Sequence, residues 1–273
     1  MIMNLKGKRR KVGLALGSGG WRGLAHLGVI KVLEEEGITI DYVAGSSAGA
    51  LVGGAYCALA DAGKLEEIMG GLSYRDLVKA LADPYSPTGI LRGEKVTRFL
   101  RGHLGERRIE ELKIPFRAVT TDLRTGEEVI LKEGDLNKAI RASMSVPLLF
   151  EPVQHEGRYL VDGATVMPVP VKVVREMGAE MVIAVNLYGH TFPVDDWKEE
   201  SLKRMRVLKL SYHLVLHELA QRDIEGADLV LEPRVVERGF NIFLKIVNNN
   251  EAIIEGERVM KEKIEEIKKL IEY

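Results

Sequence analysis

Twice within the first sixty residues, an apolar run stops in a turn of small residues and restarts at once as a helical pattern. Val12 to Leu16 reads as a buried strand, Gly17 to Gly23 as a turn, and Leu24 to Glu36 as a helix ended by Gly37. Ile40 to Ala44 begins the second unit, Gly45 to Gly49 is its turn and Ala50 to Ala60 its helix. Successive units of this kind demand an α/β fold, a parallel sheet with helices packed on its faces. Both turns then lie at the carboxyl edge of the sheet, where open α/β sheets place their ligands.

Further along, Lys64 to Gly105 is mostly helical, with a break at Asp83 to Gly89 that holds two prolines and a glycine. Phe116 to Asp122 and Glu127 to Leu131 suggest a β-hairpin, and Leu136 to Ser143 a helix. Tyr159 to Val161 is a short strand that delivers Asp162 into the turn Asp162, Gly163, Ala164. Val169 to Met177 reads as a helix, Met181 to Asn186 as a strand, Lys198 to Gln221 as a long helix and Leu229 to Leu231 as a strand. In a terminal helix from about Glu251 to Ile271, Ile253, Met260, Ile264, Ile267 and Ile271 share one face, which we expect to dock on the protein's own core.

With 273 residues, 46% of them hydrophobic, the chain can bury one substantial core. We therefore expect a basic tail over 1–11 and a single domain over 12–273. Lys and Arg number 39 against 40 for Asp and Glu, so no nucleic-acid partner is indicated and any membrane contact must be local. The single cysteine, Cys57, forms no internal disulfide and reads as a small buried residue. Glycines end the first apolar stretch after five residues, which argues against a secretory leader and for a cytoplasmic protein, peripheral at any membrane it touches. Tyr42 to Ala60 carries no charge, yet its glycines and paired serines fit a strand, turn and buried helix better than a membrane span.

Gly45, Ser46, Ser47, Ala48, Gly49 spell G-x-S-x-G between strand and helix, the setting of a nucleophile elbow. The turn presents Ser47 outward, and the helix that follows directs N–H groups toward developing negative charge. In the neighbouring turn, successive glycines let backbone amides approach a tetrahedral oxyanion without obstruction, so Gly19 and Gly20 are the natural donors. A serine hydroxyl needs an acceptor for its proton, a role that suits Asp162 at a strand end.

Taken together, G-S-G-G-W-R-G at 17–23, G-S-S-A-G at 45–49, Ser143 to Pro147 and D-G-A at 162–164 occur in the order and spacing of the patatin-like phospholipases. The likeness runs from about Val12 to Asn186. It implies a three-layer α/β/α sandwich, hydrolysis of lipid acyl esters, and a Ser/Asp dyad without a catalytic histidine. By position, Ser47 resembles the family's nucleophile, Asp162 its base, Gly19 and Gly20 its oxyanion donors, and Arg22 the basic residue of that loop. Ser18 stands where the family usually has glycine and Trp21 is bulkier than usual, departures that bear on acyl-chain size. The implied substrate is a phospholipid or other fatty acyl ester, with no metal or organic cofactor.

Two other readings of these residues are open. The Gly17 to Gly23 turn could bind a nucleotide, although no acidic residue ends the second strand and no G-K-[ST] closes the turn. His190 could complete a Ser47, Asp162, His190 triad, although the nucleophile of an α/β-hydrolase lies deeper in its chain than residue 47. His213 and His217 share a helical face but lack a third ligand, and His26, His103 and His155 have no evident partner. Tyr85 to Leu91, Val146 to Phe150 and Phe240 to Phe243 are candidate acyl-channel or bilayer segments, and Lys6 to Lys11 a candidate contact with anionic lipid.

Overall fold

A computed structural model describes residues 9–71, 73–81, 87–194, 203–235 and 250–271. Among the described residues one sheet contains β1 (Val12–Leu16), β2 (Tyr42–Ser46), β3 (Phe116–Asp122), β4 (Glu128–Leu131), β5 (Val153–His155), β6 (Arg158–Asp162), β7 (Met181–Val185) and β8 (Leu229–Leu231). In space β3, β2, β1, β7 and β8 run side by side in parallel, while β4, β5 and β6 form an antiparallel margin around β3. The helices are α1 (Leu24–Glu35), α2 (Ala48–Leu59), α3 (Ala62–Gly71), α4 (Tyr74–Leu81), α5 (Glu94–Leu104), α6 (Leu136–Ser143), α7 (Val171–Glu176), α8 (Arg204–Asp223) and α9 (Glu251–Ile271).

The strand sequences explain the layering. A parallel strand covered on both faces must be apolar at every position, and β1 reads Val-Gly-Leu-Ala-Leu, all of it buried. Val12, Leu14 and Leu16 enter the core shared with α1, α2 and α9, whereas Ala15 enters the core shared with α7 and α8. The helices therefore flank the sheet on both sides.

The terminal helix α9 lies along α1. Ile253, Met260 and Ile267 are buried, Ile264 and Ile271 are packed at the margin, and Ala252, Gly256 and Val259 complete the face. Two glycines set how closely the helices approach: a Cβ on Gly256 would overlap the Ala25 carbonyl, and one on Gly28 the Ile253 carbonyl. A side chain there must push the helices apart. We expect Gly256→Leu to destabilise the fold by about 3 kcal/mol or more in urea unfolding. On the exposed face of the same helix, Ile254→Ala should stay within about 0.5 kcal/mol.

Several boundaries differ from the sequence reading. β2 begins two residues later than expected and runs to Ser46, because its pairing with β3 continues to Val119. Gly20–Gly23 winds into a 3-10 turn that leads directly into α1. β5 was not expected, since its polar residues carry no strand signal and only pairing with β6 makes it one. Tyr42 to Ala60 divides into β2 and α2 around Ser47, and no described helix is long and apolar enough to cross a membrane. Tyr85, Phe240 to Phe243, Lys6 to Lys8 and the start of the helix expected at Lys198 lie outside the described residues.

Candidate active site

One edge of β3 brings Ser47 and Asp162 together. Val119 pairs with Ile130 on one side and Ser46 on the other, while the next residue, Thr120, pairs with Val129 and Asp162. A strand has two edges and β4 fills one of them, so β2 and β6 must share the other end to end. Their carboxyl ends meet head-on between Val119 and Thr120. Ser47 is the first residue beyond β2, and its hydroxyl donates to Asp162 Oδ2 at 2.6 Å.

The elbow holds Ser47 at φ 53, ψ −116, a conformation that favours glycine and costs a larger residue about 1–3 kcal/mol. Bonds on both sides of the residue keep it there. Its N–H donates to Ser143 Oγ at 2.9 Å, Ser143 Oγ donates onward to the Val119 carbonyl at 2.6 Å, and the Ser47 carbonyl accepts from Ala50 and Leu51. The motif glycines are there for lack of room: a Cβ on Gly49 would overlap the Leu16 carbonyl, and one on Gly45 the backbone of Gly49 and Ala50. Contrary to the outward presentation expected from sequence, Ser47 is only 7% exposed, because its side chain turns onto a buried carboxylate. Ser46 is fully buried, and its hydroxyl has no partner among the described residues.

Asp162 is equally enclosed. Oδ1 accepts from Ala164 N at 2.9 Å, its own N–H donates to the Ser145 carbonyl, and its carbonyl accepts from Thr121 Oγ1 at 3.0 Å. Burial pushes its pKa up from 3.8 to about 6, against the opposing bonds from Ser47 and Ala164. Behind it, Ser145 Oγ accepts from Arg141, whose guanidinium also donates to the Arg92 carbonyl and lies over the Phe150 ring. The Ser143 to Pro147 segment thus braces both members of the pair, Ser143 through the elbow and Ser145 through the Asp162 backbone. In the sequence this segment was marked only as one of the motifs that carry the family resemblance.

In the glycine loop, Gly17 N–H donates to Val185 O and Ser18 N–H to Pro168 O, whereas no backbone carbonyl among the described residues accepts from Gly19 or Gly20. Gly20 has φ +60 and an open face. Arg22 is buried, donates through Nε to the Gly19 carbonyl and through Nη1 to Thr191 Oγ1, and lies over the Tyr188 ring. The Ser18 hydroxyl donates to the Tyr188 hydroxyl at 3.4 Å. His26, expected to lack a partner, donates from Nε2 to the Gly17 carbonyl at 2.7 Å and is held neutral by burial, with a pKa lowered to about 4.

None of the histidines reaches the carboxylate of Asp162, whose partners among the described residues are Ser47 and Ala164. His190 is exposed and lies near Glu255, His213 packs edge-on against Tyr188, and His217 Nδ1 donates to the Tyr188 carbonyl. His103 bonds the Phe99 carbonyl within its own helix. Tyr212 of α8 was not singled out in the sequence, yet it lies beside Thr165, within range of the Asp162 charge.

An uncharacterised NTE family protein of Mycobacterium bovis is 43% identical over 182 residues, which are 66% of this chain and 49% of that protein. The "Lysophospholipase NTE1" of Mycosarcoma maydis is 38% identical over 181 residues, 64% of this chain and 10% of that one. The chain therefore spans about half the length of the mycobacterial relative and a tenth of the fungal one. Among solved structures, VipD from Legionella pneumophila superposes with a TM-score of 0.50 over 94% of this chain and 67% of its own, a likeness of fold at 13% identity. The patatin-like phospholipase family model matches residues 14–175, from β1 through the elbow and Asp162 into α7. With more than half of its length matched, this chain belongs to the patatin-like phospholipase family.

Proposed function

We propose that the protein hydrolyses fatty acyl esters of lipids, with Ser47 as nucleophile, Asp162 as general base and the amides of Gly19 and Gly20 as oxyanion donors. The observation that carries this reading is the direct 2.6 Å hydrogen bond from Ser47 Oγ to Asp162 Oδ2 at a strained elbow. Family membership and the fungal relative's name support the choice of lipid esters as substrate.

In the first half-reaction Ser47 Oγ attacks the ester carbonyl and its proton passes to Asp162. The negative charge moves to the carbonyl oxygen, which accepts from the loop amides. Collapse of the tetrahedral adduct breaks the bond to the leaving alkoxide, which takes the proton from Asp162 and departs as the alcohol. Water then attacks the acyl-serine, gives its proton to Asp162, and the second adduct collapses to the free acid as Ser47 Oγ recovers that proton. Arg22 and His26 hold the loop through its Gly19 and Gly17 carbonyls; Ser18 N–H, which follows the second, is taken by Pro168 O, whereas no backbone carbonyl among the described residues accepts from Gly20 N–H, which follows the first.

A carboxylate with a pKa near 4 would be a weak base, and burial makes this one stronger. Since the base must be ionised, acylation should fall about tenfold per pH unit below about pH 6 and be flat above it. The test is reaction with a fluorophosphonate followed by peptide mass analysis. We expect one equivalent of label, on the peptide that contains Ser47, with a labelling rate that follows this pH profile. Label on any other residue would overturn the assignment.

A further inference from the structure

A helix on the surface of a globular protein normally turns its apolar stripe inward and a polar one outward. α8 does otherwise. Leu216 and Ala220 are buried against the core that contains Ala164 and Met167, as expected of an inward face. On the opposite face, Val207, Leu208, Leu214 and Val215 recur at helical spacing with 46–54% of their surface exposed. Val207 and Leu214, and Leu208 and Val215, are each seven residues apart, two helical turns, so the four form one outward stripe rather than scattered points.

Position relative to the candidate active site gives the stripe its meaning. Tyr212 lies beside Thr165, close to Asp162, and His213 packs against Tyr188, which itself contacts Ser18 and Arg22 of the glycine loop. Just beyond the other end of the helix, the Gly226 carbonyl accepts from Arg175 in the last turn of α7, and Asp228 N–H donates to the Val182 carbonyl at the start of β7. The helix therefore runs from the carboxyl edge of the sheet toward its opposite end. Its first eight residues, Arg204 to Ser211, precede the level of Tyr212 and extend about 12 Å at 1.5 Å per residue. Met205, in this projecting part, is 70% exposed. Beyond the other flank of Asp162, Leu148 is 70% exposed and Leu149 41%, three and four residues after the Ser145 carbonyl that accepts from the Asp162 amide. Two apolar surfaces thus border the candidate site at the same end of the molecule.

The charge of the helix selects what would cover it. Lys203, Arg204, Arg206 and Lys209 precede or interleave with the apolar residues, and from 203 to 217 there is no acidic residue. An apolar stripe with basic residues suits the boundary between acyl chains and anionic headgroups, where the side chains enter the hydrocarbon and the cations meet phosphate. A second copy of this chain would set the basic residues against their own counterparts across a two-fold axis. We propose that α8 is the element through which this protein docks on an anionic phospholipid bilayer, with the candidate site facing the membrane. The inference rests on the lipid hydrolase reading, because it gives the site a substrate held in that bilayer.

The test is cosedimentation with vesicles of phosphatidylcholine alone or with 30% phosphatidylglycerol, in a Ser47→Ala background so that the vesicles stay intact. Leu208→Asp with Val215→Asp should reduce binding to the anionic vesicles at least about tenfold. Lys203→Ser with Arg204→Ser should reduce it by roughly tenfold or more and weaken the dependence on salt. Thermal unfolding and light scattering of each variant establish that it is folded and report its oligomeric state. Unchanged sedimentation of the folded aspartate variant would overturn the proposal. So would conversion of a dimer to a monomer with vesicle binding intact, which would make a second copy the occupant. Because the assay requires no turnover, its failure concerns docking alone, whereas an error in the catalytic assignment would appear as fluorophosphonate labelling away from Ser47.

Discussion

Asp162→Asn is expected to lower the single-turnover acylation rate by roughly 10⁴-fold, as damaging as loss of the nucleophile, because the amide cannot accept the Ser47 proton. His190→Ala, His213→Ala and His217→Ala should each retain activity within about tenfold, or 1.4 kcal/mol of transition-state stabilisation. The distinction rests on geometry. A triad would place an imidazole between serine and carboxylate, and here Ser47 bonds Asp162 directly. Collapse of activity in a folded histidine variant would refute the dyad.

The same substitution should raise stability. The carboxyl pKa moves from 3.8 in the unfolded chain to about 6 in the fold, so the folded state holds its proton more tightly. That contribution is complete below about pH 4 and lost as pH rises through 6, leaving a buried anion that weighs against the fold by about 3 kcal/mol at pH 8. Asn carries no such charge. Asp162→Asn should therefore melt above the wild type at pH 8, with the difference closing by about pH 4. Equal melting at both pH values would show that the buried carboxylate bears no such penalty.

Ser47→Ala should abolish turnover, again by a factor of roughly 10⁴ or more in kcat. Stability responds differently at this position than at Asp162. Alanine keeps the strained φ of 53 and removes the hydroxyl that donates to Asp162, so the carboxylate loses one of its two stabilising bonds. Glycine loses the same bond but relieves the strain. Ser47→Gly should thus be equally inactive yet more stable than Ser47→Ala by about 1 kcal/mol, measured by urea unfolding at pH 8. If alanine proved the more stable of the two, the strain at the elbow would carry no energetic weight.

How much of this was legible in the sequence follows from the range of each interaction. Ser47 could be found because an elbow is local: Gly45 and Gly49 are within two residues of it, and their small size is imposed by backbone contacts of the turn. Asp162 carries a weaker local signal, a strand end followed by glycine, and became legible through its order with the other motifs. The role of Ser143 was not legible, since its hydroxyl joins two chain segments, Ser47 and Val119, that only the sheet brings together. For the same reason the placement of Tyr212 escaped notice, whereas β5 escaped because Gln154 and His155 carry no strand signal, although its hairpin with β6 is local. The burial of Ser47 also escaped, because a motif specifies the turn but not what closes over it. The helices and parallel strands were clearer, since continuous apolar runs and 3.6-residue periodicity are properties of the segment itself.

The end-to-end meeting of β2 and β6 on one edge of β3 has a consequence for synthesis. Ser47 leaves the ribosome 115 residues before Asp162, and the two strands that carry them have no pairing with each other. Until β3 has formed and β6 has added to it, the Ser47 hydroxyl has no Asp162 carboxylate to bond. A contact of such long sequence separation closes late, after the local helices and the first parallel pairs. On the proposed assignment, a nascent chain would be inert toward esters until that point, and the capacity to hydrolyse them would arise only when this margin of the sheet is complete.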